Sequence, residues 1–400
     1  MSSEMIRAKR KFSAAIFLVV VLLIVFVSGS LMGAGAASKH TKYLMYVGTY
    51  TENGSKSEGI YVYRFDATSG NVTPIGLAAK TVNPSFVAIH PNRQFLYAVN
   101  EVANYQAKKS GAVSAFAIDR ASGKLTFLNQ IASGGSDPCY ITVDKTGKYV
   151  LVANYTSGSI SAFPIRQDGS LGPASAFIQH KGHGTNPERQ EGPHAHSIDM
   201  SPDNRFAIVD DLGLDETLVY PFDSAKGALD FDDVKIAKAD AGAGPRHFAW
   251  SPNGKFGYVI NEIGSTVTAF SFDAASGTLT RIQTIASIPK DFSKLDESAE
   301  IEVAPSGKFL YASNRGHDSI AVFKIDANDG KLTLVEYAPT KGERPRNFEI
   351  SPGGLQLFAA NEKSDDIVQF RINQQTGKLE PTGKVLDVGQ PVCLRFVAID

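Results

Sequence analysis

A turn followed by an apolar strand recurs six times along this chain. The copies are HPNRQFLYAVNE, DKTGKYVLVANY, SPDNRFAIVDDL, SPNGKFGYVINE, APSGKFLYASNR and SPGGLQLFAANE. Each strand closes on Asn or Asp, read as Asn100, Asn154, Asp210, Asn261, Asn314 and Asn361. The period is therefore about fifty residues. YLMYVGTY near Tyr43 is an earlier, degenerate copy. A short strand such as PRHFAWSP precedes the turn, and two more follow, as in TVTAFSFD and GTLTRI. Period-two alternation, Gly and Asp turns and the lack of a helical period make each unit a set of four β-strands. Such units at this period are blades of a β-propeller. One blade cannot cover both of its faces, whereas neighbours in a closed ring can.

Six complete blades begin near Pro84, Pro138, Pro193, Pro245, Ser298 and Pro345. The N-terminus supplies three further strands, YLMYVGTY, GIYVYRFD and TPIGLAA, without a first strand. The last residues, QPVCLRFVAID, resemble the missing one. The expected fold is all-β: a seven-bladed β-propeller whose C-terminal strand joins the N-terminal blade and locks the ring.

The first 38 residues differ from the rest. Basic MIRAKRK is followed by the apolar run AAIFLVVVLLIVFV and the small-residue stretch AGA. That order is a secretory signal peptide, and the run is shorter than the ~20 residues of a typical spanning helix. An uncleaved N-terminal anchor is the alternative, and only that reading gives a membrane contact. Either way the expected propeller domain is 39–400 and is exported, to the periplasm or beyond the cell. Two cysteines, Cys139 and Cys393, do not make a disulfide scaffold, and the repeat sets them two blades apart. A formal net charge of -1 gives no sign of a nucleic-acid partner.

Within a blade the first and second strands are antiparallel neighbours, so the start of one and the end of the other share one end of the ring. Aligned on the turn, the start of strand one holds Ser85, Cys139, His196, Arg246, Ala299 and Arg346. The next position holds Phe86, Tyr140, Ser197, His247, Glu300 and Asn347. The residue after the closing Asn or Asp is Glu101, Tyr155, Asp211, Glu262, Arg315 and Glu362. One channel mouth is thus expected to gather Arg246, Arg315, Arg346, His194, His196, His247, Glu101, Glu262, Glu300 and Glu362. Repeat positions that vary among charged and imidazole groups suit an asymmetric ligand site. Three readings stay open. Arginine forks bind anions while a Glu and a His exchange protons. Alternatively, His194 and His196, at i and i+2, share a strand face and ligate a metal, with His247 or a Glu. Nearby arginines oppose a cation, and no HExxH spacing occurs. Or the Arg–Glu pairs merely neutralise one another. No nucleophile elbow or Walker A motif is present, and no cofactor motif. His180 and His183 lie in the insertion QHKGHGTNPER, either a flap over the mouth or a surface loop.

YVGTYT followed by GIYVYRFD, RQEGPHAHS, GPRHFAWSPNGKFGYVINE, SAEIEVAPSGKFLYASNRGHDSIAVF and ERPRNFEISPGG resemble the seven-bladed propeller lactonase family, which includes bacterial 6-phosphogluconolactonase and fungal carboxy-cis,cis-muconate cyclase. The resemblance spans the chain after its leader. It implies opening or closure of a lactone, a small-molecule substrate and no required metal. It implies a site of His196 (or His194), Arg246, Glu262 and Arg315 or Arg346. On that implication Glu262 is the base, Arg246 binds the oxyanion and His196 protonates the leaving oxygen. His194, His247, Arg315, Arg346, Glu101 and Glu362 contact the substrate. Export points to unphosphorylated sugar lactones or carboxylated lactones. A propeller fold by itself also suits a non-catalytic binding or scaffold protein.

Overall fold

The structure, a computed structural model, describes residues 40–52 and 54–400. The leader lies outside the described residues. The described chain folds into seven antiparallel sheets. Each has a first strand innermost, and the inner strands touch in a closed cycle. In order they are Val87–Ile89, Pro138–Val143, Ala195–Met200, Pro245–Trp250, Ser298–Val303, Pro345–Ile350 and Pro391–Ala398, which returns to the first. This is the seven-bladed β-propeller that the repeat implies.

Closure follows the expected route. The C-terminal strand Pro391–Ala398 pairs antiparallel with Lys42–Thr49, from Tyr43 opposite Ala398 to Thr49 opposite Pro391. The final side chain then clasps the start of the fold. The Asp400 carboxylate accepts from the Thr41 amide at 2.8 Å, the Thr41 hydroxyl at 2.9 Å and the Lys42 amide at 3.2 Å. Cys139 and Cys393 are both buried and unpaired.

A tyrosine staple explains part of the repeat. In four blades a buried second-strand tyrosine donates its hydroxyl to the carbonyl of a glycine in the next blade. The pairs are Tyr46 to Gly123 at 3.1 Å, Tyr97 to Gly169 at 3.0 Å, Tyr258 to Gly330 at 3.0 Å and Tyr311 to Gly377 at 2.8 Å. Gly330 sits at φ 73°, in the left-handed region, and an added Cβ would meet the Phe256 ring at 2.5 Å. The turn therefore keeps glycine for two independent steric reasons.

One feature of the inner strands departs from a regular ladder. Six of the seven carry a β-bulge at their first residues. The residue left out of register is Cys139, His196, Arg246, Arg346 or Val392, and in one blade the pair Ala299 and Glu300. A bulge re-aims a side chain that strict alternation would send to the opposite face. Consecutive residues such as Arg246 and His247 thus reach one cluster. The registers also correct one assignment. Ala195 pairs with Asp211 as Pro245 pairs with Asn261, so the closing residue of that blade is Asp211 and not Asp210.

Candidate active site

Glu262 is the hub. It follows the second strand of its blade and is 3% exposed. Its Oε2 accepts from Arg246 Nε at 2.9 Å and lies 2.7 Å from Arg315 Nη2. Its Oε1 accepts from Arg189 Nη2. His196 Nε2 stands 3.9 Å from Oε2, too far for a direct hydrogen bond. Burial alone would raise the Glu262 pKa. Arg315, Arg246, His196 and Arg189 outweigh it and hold the carboxyl well below its usual range. A carboxylate so surrounded binds a proton weakly, which conflicts with the expected role of general base.

Arg246 is 2% exposed and fixed on two sides. Its Nε donates to Glu262, and its Nη1 donates to the Ala299 carbonyl at 2.7 Å. Nη2 makes no hydrogen bond to the described residues. Burial and the guanidiniums of Arg315 and Arg346 lower its pKa to about 10, so it stays cationic at neutral pH. Its Nη1 also lies 3.1 Å from Nε2 of His247, whose Nδ1 is 3.0 Å from Glu300. Glu300 also accepts from the Asn347 amide.

His196 and His247 stand with ring centroids 5.2 Å apart. Burial, reinforced by Arg246, lowers both pKa values well below the ordinary imidazole value. Both rings are therefore neutral at neutral pH. The nearest partner of His196 Nδ1 is Cys139 Sγ at 3.8 Å. His194 does not join His196 on one strand face. The strand begins at Ala195, and Tyr155 separates the two rings, stacked on His194 at 4.6 Å and edge-on to His196 at 5.4 Å. His194 Nδ1 is 3.1 Å from the Tyr155 carbonyl, and its Nε2 is 3.2 Å from Glu191. Among the described residues no group of three or more His, Cys, Asp or Glu side chains is placed to hold a metal ion.

The remaining expected residues form a second group on the neighbouring blades. Arg346 lies over the Tyr50 ring, 5.4 Å from its centroid, and makes no hydrogen bond or ion pair with the described residues. Tyr50 donates to Glu101 at 3.0 Å, and Glu362 is 3.9 Å from Arg344 Nε. Burial raises the pKa of Glu101, partly offset by Arg346.

Three residues outside the expected set, Arg189, Glu297 and Tyr155, also belong to the cluster. Arg189 comes from the insertion between blades and reaches Glu262 and, at 2.9 Å, Glu297. Glu297 also accepts from Arg344 at 3.1 Å. The insertion is therefore tied across this end of the ring. It is anchored by His180, whose Nδ1 is 2.6 Å from Asp211 and whose Nε2 is 3.1 Å from the Tyr220 hydroxyl. Arg189 lies outside the repeat, whereas Glu297 holds the position before strand one that Gly244 and Arg344 hold in their blades, its carbonyl accepting from the Arg315 amide as theirs accept from Glu262 and Glu362. Tyr155 stands in the same repeat column as Glu262, without a charge to mark it.

Residues 44–396 match the family described as lactonase, 7-bladed beta-propeller. The chain belongs to that lactonase family. A Bacillus subtilis (strain 168) protein named 6-phosphogluconolactonase is 39% identical over 308 residues, covering 77% of this chain and 85% of the relative. Among solved structures, a putative 6-phosphogluconolactonase from Bacteroides fragilis is 40% identical with a TM-score of 0.82, covering 90% of this chain and 99% of its own. The periplasmic gluconolactonase PpgL of Pseudomonas aeruginosa is 34% identical with a TM-score of 0.83, covering 90% of this chain and all of its own. The arginine–glutamate–histidine cluster is therefore carried on a propeller of the lactonase family.

Proposed function

We propose that this protein is an exported lactonase that hydrolyses a sugar or carboxylated lactone at the channel mouth. The observation that carries the reading is Arg246, a buried cation fixed by Glu262 and Ala299 with one nitrogen uncommitted, beside a neutral imidazole. A pre-positioned donor of that kind stabilises the oxyanion that forms when water attacks a lactone carbonyl. The family and the names of the relatives support the same reaction class.

The charge states set the roles. His196, held neutral, accepts the proton of the attacking water, and the adjacent Glu262 carboxylate stabilises the imidazolium. Glu262 serves chiefly to hold Arg246, Arg315 and Arg189 in place. This differs from the roles first assigned to Glu262 and His196, because the guanidiniums of Arg315, Arg246 and Arg189 depress the carboxylate and burial depresses the imidazole. Arg346, which lies over the Tyr50 ring but makes no hydrogen bond or ion pair with the described residues, binds a polar or anionic group of the substrate. Glu101, Glu362, His194, His247 and Arg315 shape the wall around it.

Export favours unphosphorylated lactones, and the periplasmic gluconolactonase relative agrees with that choice. The test is pH-stat hydrolysis of glucono-δ-lactone, its 6-phosphate and a muconolactone by the purified protein. Acceleration over background on at least one, with glucono-δ-lactone preferred to its phosphate, is expected. No acceleration on any would overturn the lactonase reading and favour a binding role.

A further inference from the structure

Ring opening leaves an alkoxide-like oxygen that needs a proton. Of the groups assigned so far, Glu262 is ionised, His247 is a neutral base, and His196 carries only the proton it takes from the attacking water. Tyr155 is different. Its backbone is fixed, with its amide donating to Asp137 at 2.9 Å and its carbonyl 3.1 Å from His194 Nδ1. One face of the ring is covered by His194, and the edge of His196 meets it as well. That leaves the hydroxyl as its working atom. The hydroxyl oxygen accepts from Arg189 Nη2 at 3.4 Å, and its own proton has no acceptor among the described residues. Burial and the nearby Glu262 charge raise its pKa, so it keeps that proton at neutral pH.

Resting on the lactonase reading, we propose that Tyr155 is a catalytic acid that protonates the departing ring oxygen. Water adds to the carbonyl carbon as one of its protons passes to His196. The carbonyl–ring-oxygen bond then breaks, its electron pair stays on the ring oxygen, and the Tyr155 proton moves there. The phenolate left behind faces the Arg189 guanidinium. The imidazolium proton of His196, on the ring edge-on to Tyr155, returns to it and resets the pair. The free carboxylic acid loses its proton to solvent. The charged or titratable groups facing the phenol are Arg189, Glu262, His194, His196 and Cys139.

The test compares two leaving groups. Glucono-δ-lactone departs as an alcohol, whereas dihydrocoumarin departs as a phenolate that needs little proton assistance. Tyr155→Phe should lower kcat on glucono-δ-lactone by about 100-fold, the scale of a lost general acid, with little change in KM. On dihydrocoumarin the change should stay within a few-fold. Equal losses on both, or no loss on the first, overturn the proposal. A second readout needs only the sugar lactone. Difluorotyrosine at position 155 should restore turnover relative to phenylalanine and move the alkaline limb of kcat to lower pH. An unmoved limb, or turnover as slow as with phenylalanine, overturns the proposal. Failure of the lactonase reading itself shows separately, as wild-type protein inactive on every lactone.

Discussion

Glu262 compensates three buried or half-buried guanidiniums at once, so its loss strands several charges. Leaving a buried ion unpaired costs about 3–5 kcal/mol. Glu262→Gln should therefore lower kcat by about 100-fold or more with a smaller change in KM, and should also lower the melting temperature. Steady-state kinetics beside a thermal melt checks both, and unchanged turnover removes Glu262 from the site. The state of His196 gives a second prediction. Its base form persists as pH falls until the depressed imidazole pKa is reached. The acidic limb of kcat/KM should therefore lie clearly below pH 6.5, and a limb at or above that value contradicts the assignment. The members of this cluster were legible because the repeat lines up Arg246, Glu262 and His196 at one end of every blade. Their protonation was not legible. It depends on how many guanidiniums surround one carboxylate, which no column of the repeat records. Arg189 was hidden because it lies outside the repeat.

At the scale of strands, the inner-strand bulges position the chemistry. They put Arg246 beside His247 and take His196 out of its ladder. The alternation of apolar residues displays the strands, but an extra residue in a ladder has no signature of composition. The one-residue error at Asp210 has a different source: counted from the turn, the position of Asn261 falls on Asp211, and the residue before it is an acid as well. The tyrosine staples were present in the repeats as the Tyr of FLYA and FGYV and the Gly of GKL, yet their pairing across blades needs the ring. Each buried hydroxyl–carbonyl bond contributes about 1 kcal/mol net. Tyr258→Phe should therefore destabilise the fold by about that amount and leave Gly330 O without its tyrosine donor. Urea denaturation checks it, and a variant as stable as wild type would deny the staple a role.

At the scale of the molecule, closure by Pro391–Ala398 was legible because the N-terminal blade lacked one strand and the C-terminus offered one. Removing residues 391–400 deprives Lys42–Thr49 of its inner partner and opens the ring. The truncated chain should lose cooperative melting, and a soluble truncation with a sharp transition would refute the closure. Buried carboxyls also set a pH dependence for the whole fold. Burial raises Asp199 and Asp210 to about 7. A carboxyl raised in the folded state favours folding fully below its unfolded pKa of about 4, and that contribution is lost as pH rises towards 7. Glu262 acts oppositely, but its stabilisation is already present above about pH 4.5. His196 and His247, neutral in the fold, act oppositely up to about pH 6.5, where the unfolded imidazole loses its proton. The carboxyl contribution is therefore read as a difference: the change in melting temperature from pH 5 to pH 7.5 should be more positive in Asp210→Asn than in wild type, and equal changes would contradict it. On the proposed mechanism, the assembled ring opens lactones with groups drawn from neighbouring blades around Arg246. The direct measurement is kcat/KM for glucono-δ-lactone with wild type and Arg246→Ala, each shown folded by its melt. Loss of one oxyanion donor predicts a fall of about 100-fold or more. Equal values for two folded proteins would contradict the account.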